Sequence, residues 1–280
     1  MRLLSRAASS LAVLLACLWA VVDAAGVLEI DLLFPRNETY APHTRFPVIF
    51  ALRNPHLAQH LRPEINWVIL NASRSDPTSV RLADGKHRFF WTNETTQEPY
   101  FLYHFPNLRS HEGPVHLGWW ANWISCNLSS SEPAFEVGET ELLTLNIDFT
   151  VKSGGQSVDL VAATARNDEE TCAQPGVAIN VTDETRWVPD DPLDIHDYGD
   201  ETCAVLASSS PTPTANPCHV EITSAAAESI WASLAADWCL YKPANDTSFD
   251  CAKYNAAERL TVAGVACLAA AFGALGYLLF

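Results

Sequence analysis

The chain has 280 residues, with 33 Asp and Glu against 17 Lys and Arg, for a formal net charge of −16 at pH 7 with neutral histidines. That balance argues against nucleic acid or anionic lipid as partners, because both are held through clustered Lys and Arg. Hydrophobic residues make up 48% of the chain, enough to fill the core of one large domain or of a domain with a smaller attached unit.

Arg2 and Arg6 precede an apolar stretch from Leu11 to Val22, and Val22-Asp23-Ala24 puts small residues where a signal peptidase reads. The stretch is shorter than the roughly 20 residues that span a bilayer. Residues 1–24 are therefore expected to be a removed export signal. Leu260–Phe280 carries no charge and is long enough to cross a hydrocarbon core of about 30 Å. No Lys or Arg follows it to hold a cytoplasmic end. The small triplet Asn255-Ala256-Ala257, a short spacer at Glu258 and Arg259, and the apolar tail together resemble a glycosylphosphatidylinositol attachment signal. Residues 256–280 are thus expected to be exchanged for a lipid on Asn255. The spacer is short, which leaves Ser248 or Asp250 as alternative attachment points, and a retained spanning helix is the competing reading. Loss of Arg2, Arg6, Asp23, Glu258 and Arg259 with these ends takes the net charge from −16 to −17.

Between the ends lie Cys126, Cys172, Cys203, Cys218, Cys239 and Cys251. An even number in an exported chain suggests three disulfides, with 15 pairings open. A cut near Asp250 would strand Cys251, so parity favours Asn255. Sequons begin at Asn37, Asn71, Asn93, Asn127, Asn180 and Asn245, and occupied ones must lie on the surface.

From Val27 onward the chain reads as short strands punctuated by turn residues. Strands are expected at Val27–Phe34, Phe46–Leu52, Glu64–Leu70, Ser79–Leu82, Arg88–Trp91, Tyr100–Phe105, Val115–Cys126, Leu142–Val151 and Ser157–Ala163. In Val115–Cys126 the alternation puts Val115, Leu117, Trp119, Ala121 and Trp123 on one face and His116, Gly118, Trp120 and Asn122 on the other. The expected fold is mainly β: an antiparallel β-sandwich over residues 25–183, immunoglobulin-like in the broad architectural sense.

Residues 184–215 read as an acidic and Ser/Pro/Thr-rich segment, with Asp190, Asp191, Asp194, Asp197, Asp200 and Glu201 in its first half. Residues 216–255 form a cysteine-bearing helical appendage. Thr223 or Ser224 caps its helix, Ala225, Ala226 and Ala227 favour it, and Ile230, Leu234 and Trp238 mark one face. Cys218, Cys239 and Cys251 are expected to pin this small element by disulfides.

Three constellations bear on chemistry. Trp120, opposite the core face of its strand, is the one candidate ligand-binding residue, as a ring that stacks on a sugar; Trp119 and Trp123 read as core. The acidic run with His196 lacks the glycine and terminal glutamate of a calcium loop, so no metal site is assigned. No Gly-x-Ser-x-Gly, His-Glu-x-x-His or phosphate-cradling loop occurs. The histidines, including His43, His56, His60, His87, His104, His111 and His116, are scattered along the chain. No catalytic residue, enzyme class or cofactor is assigned.

The opening Val27-Leu-Glu-Ile-Asp-Leu-Leu-Phe-Pro-Arg-Asn-Glu-Thr-Tyr40, the stretch Ala51-Leu-Arg-Asn-Pro55 and the tryptophan-rich strand ending at Cys126 resemble a family of uncharacterised secreted proteins of filamentous fungi. In that family an extended β-rich domain of unknown function is followed by cysteines and, in some members, by a Ser/Pro/Thr linker and a lipid-attachment tail. The resemblance covers roughly Gly26 to Cys239. It implies a fungal surface or wall context and transfers no catalytic site. The expected function is a glycosylated, lipid-anchored cell-surface or cell-wall protein with a structural or interaction role. Its partners would be the outer leaflet of the plasma membrane, through the lipid, and wall glycan or a surface protein. A carbohydrate-binding or carbohydrate-processing protein is the alternative.

Overall fold

The computed structural model describes residues 26–71, 79–89, 98–128, 134–140, 145–165, 175–188, 202–207 and 213–241. Its strands, in chain order, are β1 (Gly26–Phe34), β2 (Thr39–Tyr40), β3 (Val48–Arg53), β4 (Glu64–Leu70), β5 (Arg81–Arg88), β6 (Tyr100–His104), β7 (Gly113–Asn127), β8 (Ala134–Glu139), β9 (Leu145–Val151), β10 (Gly176–Trp187) and β11 (Thr202–Leu206). Its helices are α1 (Ala58–Leu61), α2 (Leu160–Thr164) and α3 (Ser224–Tyr241), with 3-10 turns at Pro55–Leu57 and Pro217–His219. The fold is mainly β, with two sheets and a short C-terminal helix.

The first sheet runs β11-β10-β1-β3-β6 and the second β2-β9-β7-β4-β5, with β8 paired to the far end of β7. Pairing is antiparallel except for the parallel contact of β2 with β9. The period-2 pattern of β7 sets the second sheet's inner face: Val115, Leu117, Trp119 and Ala121 are buried, opposite Ile69, Trp67 and Ile65 of β4. Trp119 meets Phe50 of β3 edge-on, with centroids 5.1 Å apart, so the inner faces pack on each other. Phe46 stacks on Phe149 at 5.1 Å, and Phe34 and Tyr40 complete that aromatic group. Trp123, whose face also points inward, is only partly buried against the core.

A third layer backs the first sheet. Leu160, Val220, Ile222, Ala227 and Ile230 belong to the same buried cluster as the strands, and α2 and the Pro217–His219 turn both touch β1. Thr164 joins these pieces: its hydroxyl donates to the Leu160 carbonyl at 2.9 Å and accepts from the Ile222 N–H at 2.8 Å, all of it buried. Trp231 of α3 lies against Phe105 and His43.

Strand and helix expectations need four amendments. Ser157–Ala163 is not a strand: Asp159 accepts hydrogen bonds from the Val161 and Ala162 N–H groups and caps helix α2, and this local acceptor at the N-terminus outweighs the β-branched residues nearby. The strands expected at Ser79–Leu82 and from Arg88 merge into the single strand β5; Phe90 and Trp91 lie outside the described residues. Sheet structure does not stop near Thr182, because β10 continues to Trp187 and β11 pairs with it, while β8 occupies a stretch where no strand was expected. Helix α3 stands where the alanine run placed it, and the Thr223 hydroxyl caps it by accepting from the Ala226 N–H at 3.2 Å. Among the described side chains its buried residues are Ala227, Ile230 and Ala235, with Leu234 half-buried; the Trp238 side chain lies outside the described residues.

Cys126 of β7 is bonded to Cys203 of β11, with Cα atoms 5.2 Å apart and a sequence separation of 77. The bond ties the far end of the second sheet to the edge of the first, where Phe135, Val188 and Val205 form a separate small apolar cluster. Closing a loop of that length removes denatured-state entropy worth about 4 kcal/mol in the chain-entropy model.

At the opposite edge Trp67 lies directly across from Gly85 in register. A Cβ at Gly85 would stand 2.5 Å from the indole Cζ2, so the ring occupies the space a side chain would need. Gly138 and Trp123 repeat the arrangement on β8 and β7. Gly85→Ala should therefore lower stability by about 1–3 kcal/mol through overpacking, read as a shift in the urea midpoint; an unchanged midpoint would show that the indole does not cover Gly85.

Candidate functional site

Two groups of polar residues stand out, one on the outer face of the second sheet and one beneath the helical layer. The first follows from the alternation of β7, whose outward residues are His116, Gly118, Trp120 and Asn122. His116 is directly opposite Asp148 of β9, and its Nδ1 lies 2.7 Å from the Asp148 carboxylate. A hydrogen on Nδ1 donates to that carboxylate; Nε2 is enclosed and has no hydrogen-bond partner. Trp120 is half-buried and pairs with Asn66 of β4, which in turn pairs with Lys86 of β5. Beside them Glu64 receives Arg88 Nε at 2.7 Å and the Asn66 amide at 3.2 Å, with Lys86 at 3.3 Å. Hydrogen bonds and positive charge outweigh desolvation and hold Glu64 below the usual carboxylate range, although desolvation is its largest single influence. Trp120 therefore sits in a polar strip, an aromatic plane beside groups that donate and accept hydrogen bonds.

The second group is electrostatically the more strained. Glu29 and Asp31 of β1 share a face with Arg53 of β3, which is opposite Glu29 in register. Glu29 forms an ion pair with Arg53 and accepts the Asn216 N–H, while Arg53 Nη2 donates to the Asn216 carbonyl at 3.4 Å. Asp31 is completely buried and neither carboxylate oxygen has a hydrogen-bond partner; Arg53 Nε is 3.5 Å away. Gly176 permits this packing, because a Cβ there would lie 2.5 Å from Asp31 Oδ1 and 2.7 Å from Ala215. Burial, and then the neighbouring Glu29 charge, push the Asp31 carboxyl up to about 8, with Arg53 pulling the other way. At neutral pH Asp31 is thus mostly a neutral acid under the 215–217 segment.

Of the residues singled out from sequence, Trp120 is on the outer face as expected. Asn37 is exposed in the turn before β2, Asn71 is half-buried and accepts the Val80 N–H at 2.6 Å, Asn127 ends β7, and Asn180 is half-buried in β10 opposite Val27. Asn93, Asn245, Asn255, Cys172, Cys251 and the run from Asp190 to Glu201 lie outside the described residues. Cys126 and Cys203 pair with each other, and Cys218 and Cys239 are also disulfide-bonded. The Glu29–Asp31–Arg53 group and the His116–Asp148 pair were not anticipated. Acidic residues in an alternating strand read as solvent-facing, and the partner of His116 is 32 residues away.

Among the described residues no group of three or more His, Cys, Asp or Glu side chains is placed to hold a metal ion, and no helix is long and apolar enough to cross a membrane. Two facing sheets with a helical backing, their most unusual polar groups turned to holding layers together, define a mainly-β domain without an assigned chemistry. The chain belongs to the family described as a domain of unknown function (DUF7136), whose model matches residues 23–250. No curated protein and no solved structure matches it.

The raised Asp31 carboxyl fixes a pH dependence. The folded state keeps a proton that the unfolded chain loses near pH 4, so this group's contribution is full below about pH 4 and is lost as pH rises toward about 8. The half-buried, neutral His87 and His104, both held below their usual value by partial burial and His104 at about 4, act in the opposite sense, since their contribution is lost as pH falls below about 6.5. Asp31→Asn, a neutral isostere, isolates the first effect. It should be more stable than wild type at pH 8 by at least about 1 kcal/mol, with the difference closing toward pH 4. Parallel denaturation curves with no convergence at low pH would refute the assignment.

Proposed function

We propose that this is a glycosylated protein of the cell surface or cell wall, held on the outer leaflet of the plasma membrane by a glycosylphosphatidylinositol anchor and serving a structural or interaction role. The observation that carries the proposal is the Cys126–Cys203 disulfide at the edge where the two sheets meet. Structural disulfides of this kind persist in oxidising, extracytoplasmic compartments. It agrees with the export signal at residues 1–24 and with sequons that include the exposed Asn37. The resemblance to secreted proteins of filamentous fungi supports a wall-bearing cell as the setting.

In this reading the two sheets form an immunoglobulin-like antiparallel sandwich in the broad architectural sense, and α3 is pinned by disulfides through Cys218 and Cys239. Helix α3 extends to Tyr241, so a lipid on Asn255 follows it by a short stretch of chain. Residues 256–280 are the discarded signal.

A carbohydrate-binding role is the second reading, favoured by the half-buried Trp120 beside Asn66, Asn122 and the Glu64–Arg88 pair. Sugar rings stack on such an aromatic plane while their hydroxyls exchange hydrogen bonds with the flanking groups.

Treatment of intact cells with a phosphatidylinositol-specific phospholipase should release the protein, with a C-terminal peptide ending at or near Asn255. Retention under conditions that free a lipid-anchored control, together with a peptide that still contains Phe280, would refute the anchor. For the second reading, wild type should bind wall polysaccharide and Trp120→Ala should weaken binding tenfold or more without a change in thermal stability. Silence on a glycan array and no release of reducing ends from wall polysaccharide would remove this class.

A further inference from the structure

At the edge where β5 and β6 face each other, far from the disulfide, two imidazoles meet among aromatic rings. His87 of β5 and His104 of β6 belong to different sheets, yet their ring centroids are 5.9 Å apart with planes inclined at 72°. The Trp67 ring packs on His104 at 5.3 Å. His104 Nε2 is enclosed without a hydrogen-bond partner, and so is Trp67 Nε1. Two buried nitrogens left unsatisfied side by side are uncommon, because each forfeits its hydration for nothing in return. Among the described residues the in-register neighbours are apolar, Ile65 for His87 and Val48 for His104. Aromatic and aliphatic packing continues on either side through Phe89 and Tyr100.

We propose that His87 and His104 together bind one divalent transition-metal ion, copper most tightly, which links the edge strands of the two sheets. Burial keeps both imidazoles uncharged at neutral pH, the form in which imidazole donates a lone pair to a metal. With ligating nitrogens about 2 Å from an ion, two imidazoles on one metal have centroids roughly 5–6 Å apart, the separation found here. Nitrogen ligands favour copper and zinc over magnesium or calcium, and copper(II) stands highest in the divalent series. Two protein ligands leave the remaining positions to water, and the neighbouring indole N–H is the donor that a metal-bound water oxygen would accept. His87 is half-buried, so the ion enters from the open edge. A His–metal–His bridge would do at this edge what Cys126–Cys203 does at the other, fastening one sheet to the other.

The test uses the purified full chain with no added histidine tag, titrated with copper(II) and, separately, zinc. Wild type should bind one equivalent, show two nitrogen ligands in the copper electron paramagnetic resonance spectrum, and melt at a higher temperature when loaded. His87→Gln and His104→Gln should each weaken binding tenfold or more and abolish the thermal shift, while the control His56→Gln should change neither. His87→Gln keeps the test decisive if His104→Gln, which alters a ring whose Nε2 is enclosed, folds poorly. Absence of a saturable one-to-one site in wild type, or an affinity unchanged in His87→Gln, would overturn the proposal.

Discussion

Strand β1 is buried on both faces, and most of the architecture follows from that. Leu28, Ile30 and Leu32 enter the space between the sheets, while Glu29, Asp31 and Leu33 point away from it and are covered as well. A strand in an antiparallel two-sheet fold ordinarily leaves its second face to solvent. Here α2 and the Pro217–His219 turn lie over it, and the residues beneath them must accept the loss of water. Leu33, Ile49 and Ala51 do so readily. The two carboxylates do not, and each meets the demand differently. Glu29 is paired with Arg53 and accepts the Asn216 N–H, whereas Asp31 retains its proton. Removing Arg53 would leave Glu29 without its counter-charge under the same cover, the arrangement in which a buried ion becomes most costly.

This double burial also explains where the sequence was legible. Val115–Cys126 alternates cleanly because one side of β7 meets the core and the other carries polar groups, and its inward and outward residues are as the pattern says. Glu64–Leu70 is legible for the same reason, and α3 because three alanines follow a threonine cap. Val27–Phe34 alternates too, with acids at Glu29 and Asp31, and alternation by itself reads those acids as solvent-facing. Only the position of residues 213–230 in space reverses that reading. Strands β10 and β11 were hidden by composition: the polar outer face of β10 and the acidic residues after it look like linker, although Val177, Ile179 and Val181 are core. The merger of two short strands into β5 turns on Gly85, the space into which Trp67 lies. His87 and His104, 17 residues apart and on different sheets, had no sequence pattern to join them.

The two lateral edges solve one problem by different chemistry. Stacked sheets cohere through their inner faces, but where edge strands face each other the apolar area thins and water competes. At the β11 edge a covalent bond and a small apolar cluster close the gap. At the β5 edge the closure is by rings, with Phe89 on Tyr100 and Trp67 on His104, and by the imidazole pair. The exposed side of β5 carries Arg81, Asp84, Lys86 and Arg88, charges that also discourage pairing with another chain. An edge held by neutral imidazoles responds to acid and to metal in opposite directions, because a proton on the ring nitrogen and a metal compete for the same lone pair.

If a lipid follows α3, force on the protein enters through the helical layer rather than through either sheet. The path runs from the membrane through α3 to Trp231 against Phe105 and His43 and to the Ile222–Thr164 bond just before the helix, and through Asn216 to Glu29 and Arg53 on β1 and β3, the middle of the first sheet. Such a path loads hydrogen bonds and an ion pair in the interior of a sheet instead of peeling an edge strand one pair at a time. Disulfide bonds at Cys218 and Cys239 bracket the stretch of chain that carries the load. Asp31 then has a role beyond its own strain: uncharged, it lets the helical layer lie flat on β1, and ionised, it sets a second negative charge beside Glu29 with a single guanidinium between them. The same carboxylate that makes the central strand costly to bury therefore weakens the contact between the helical layer and β1 as pH rises toward about 8.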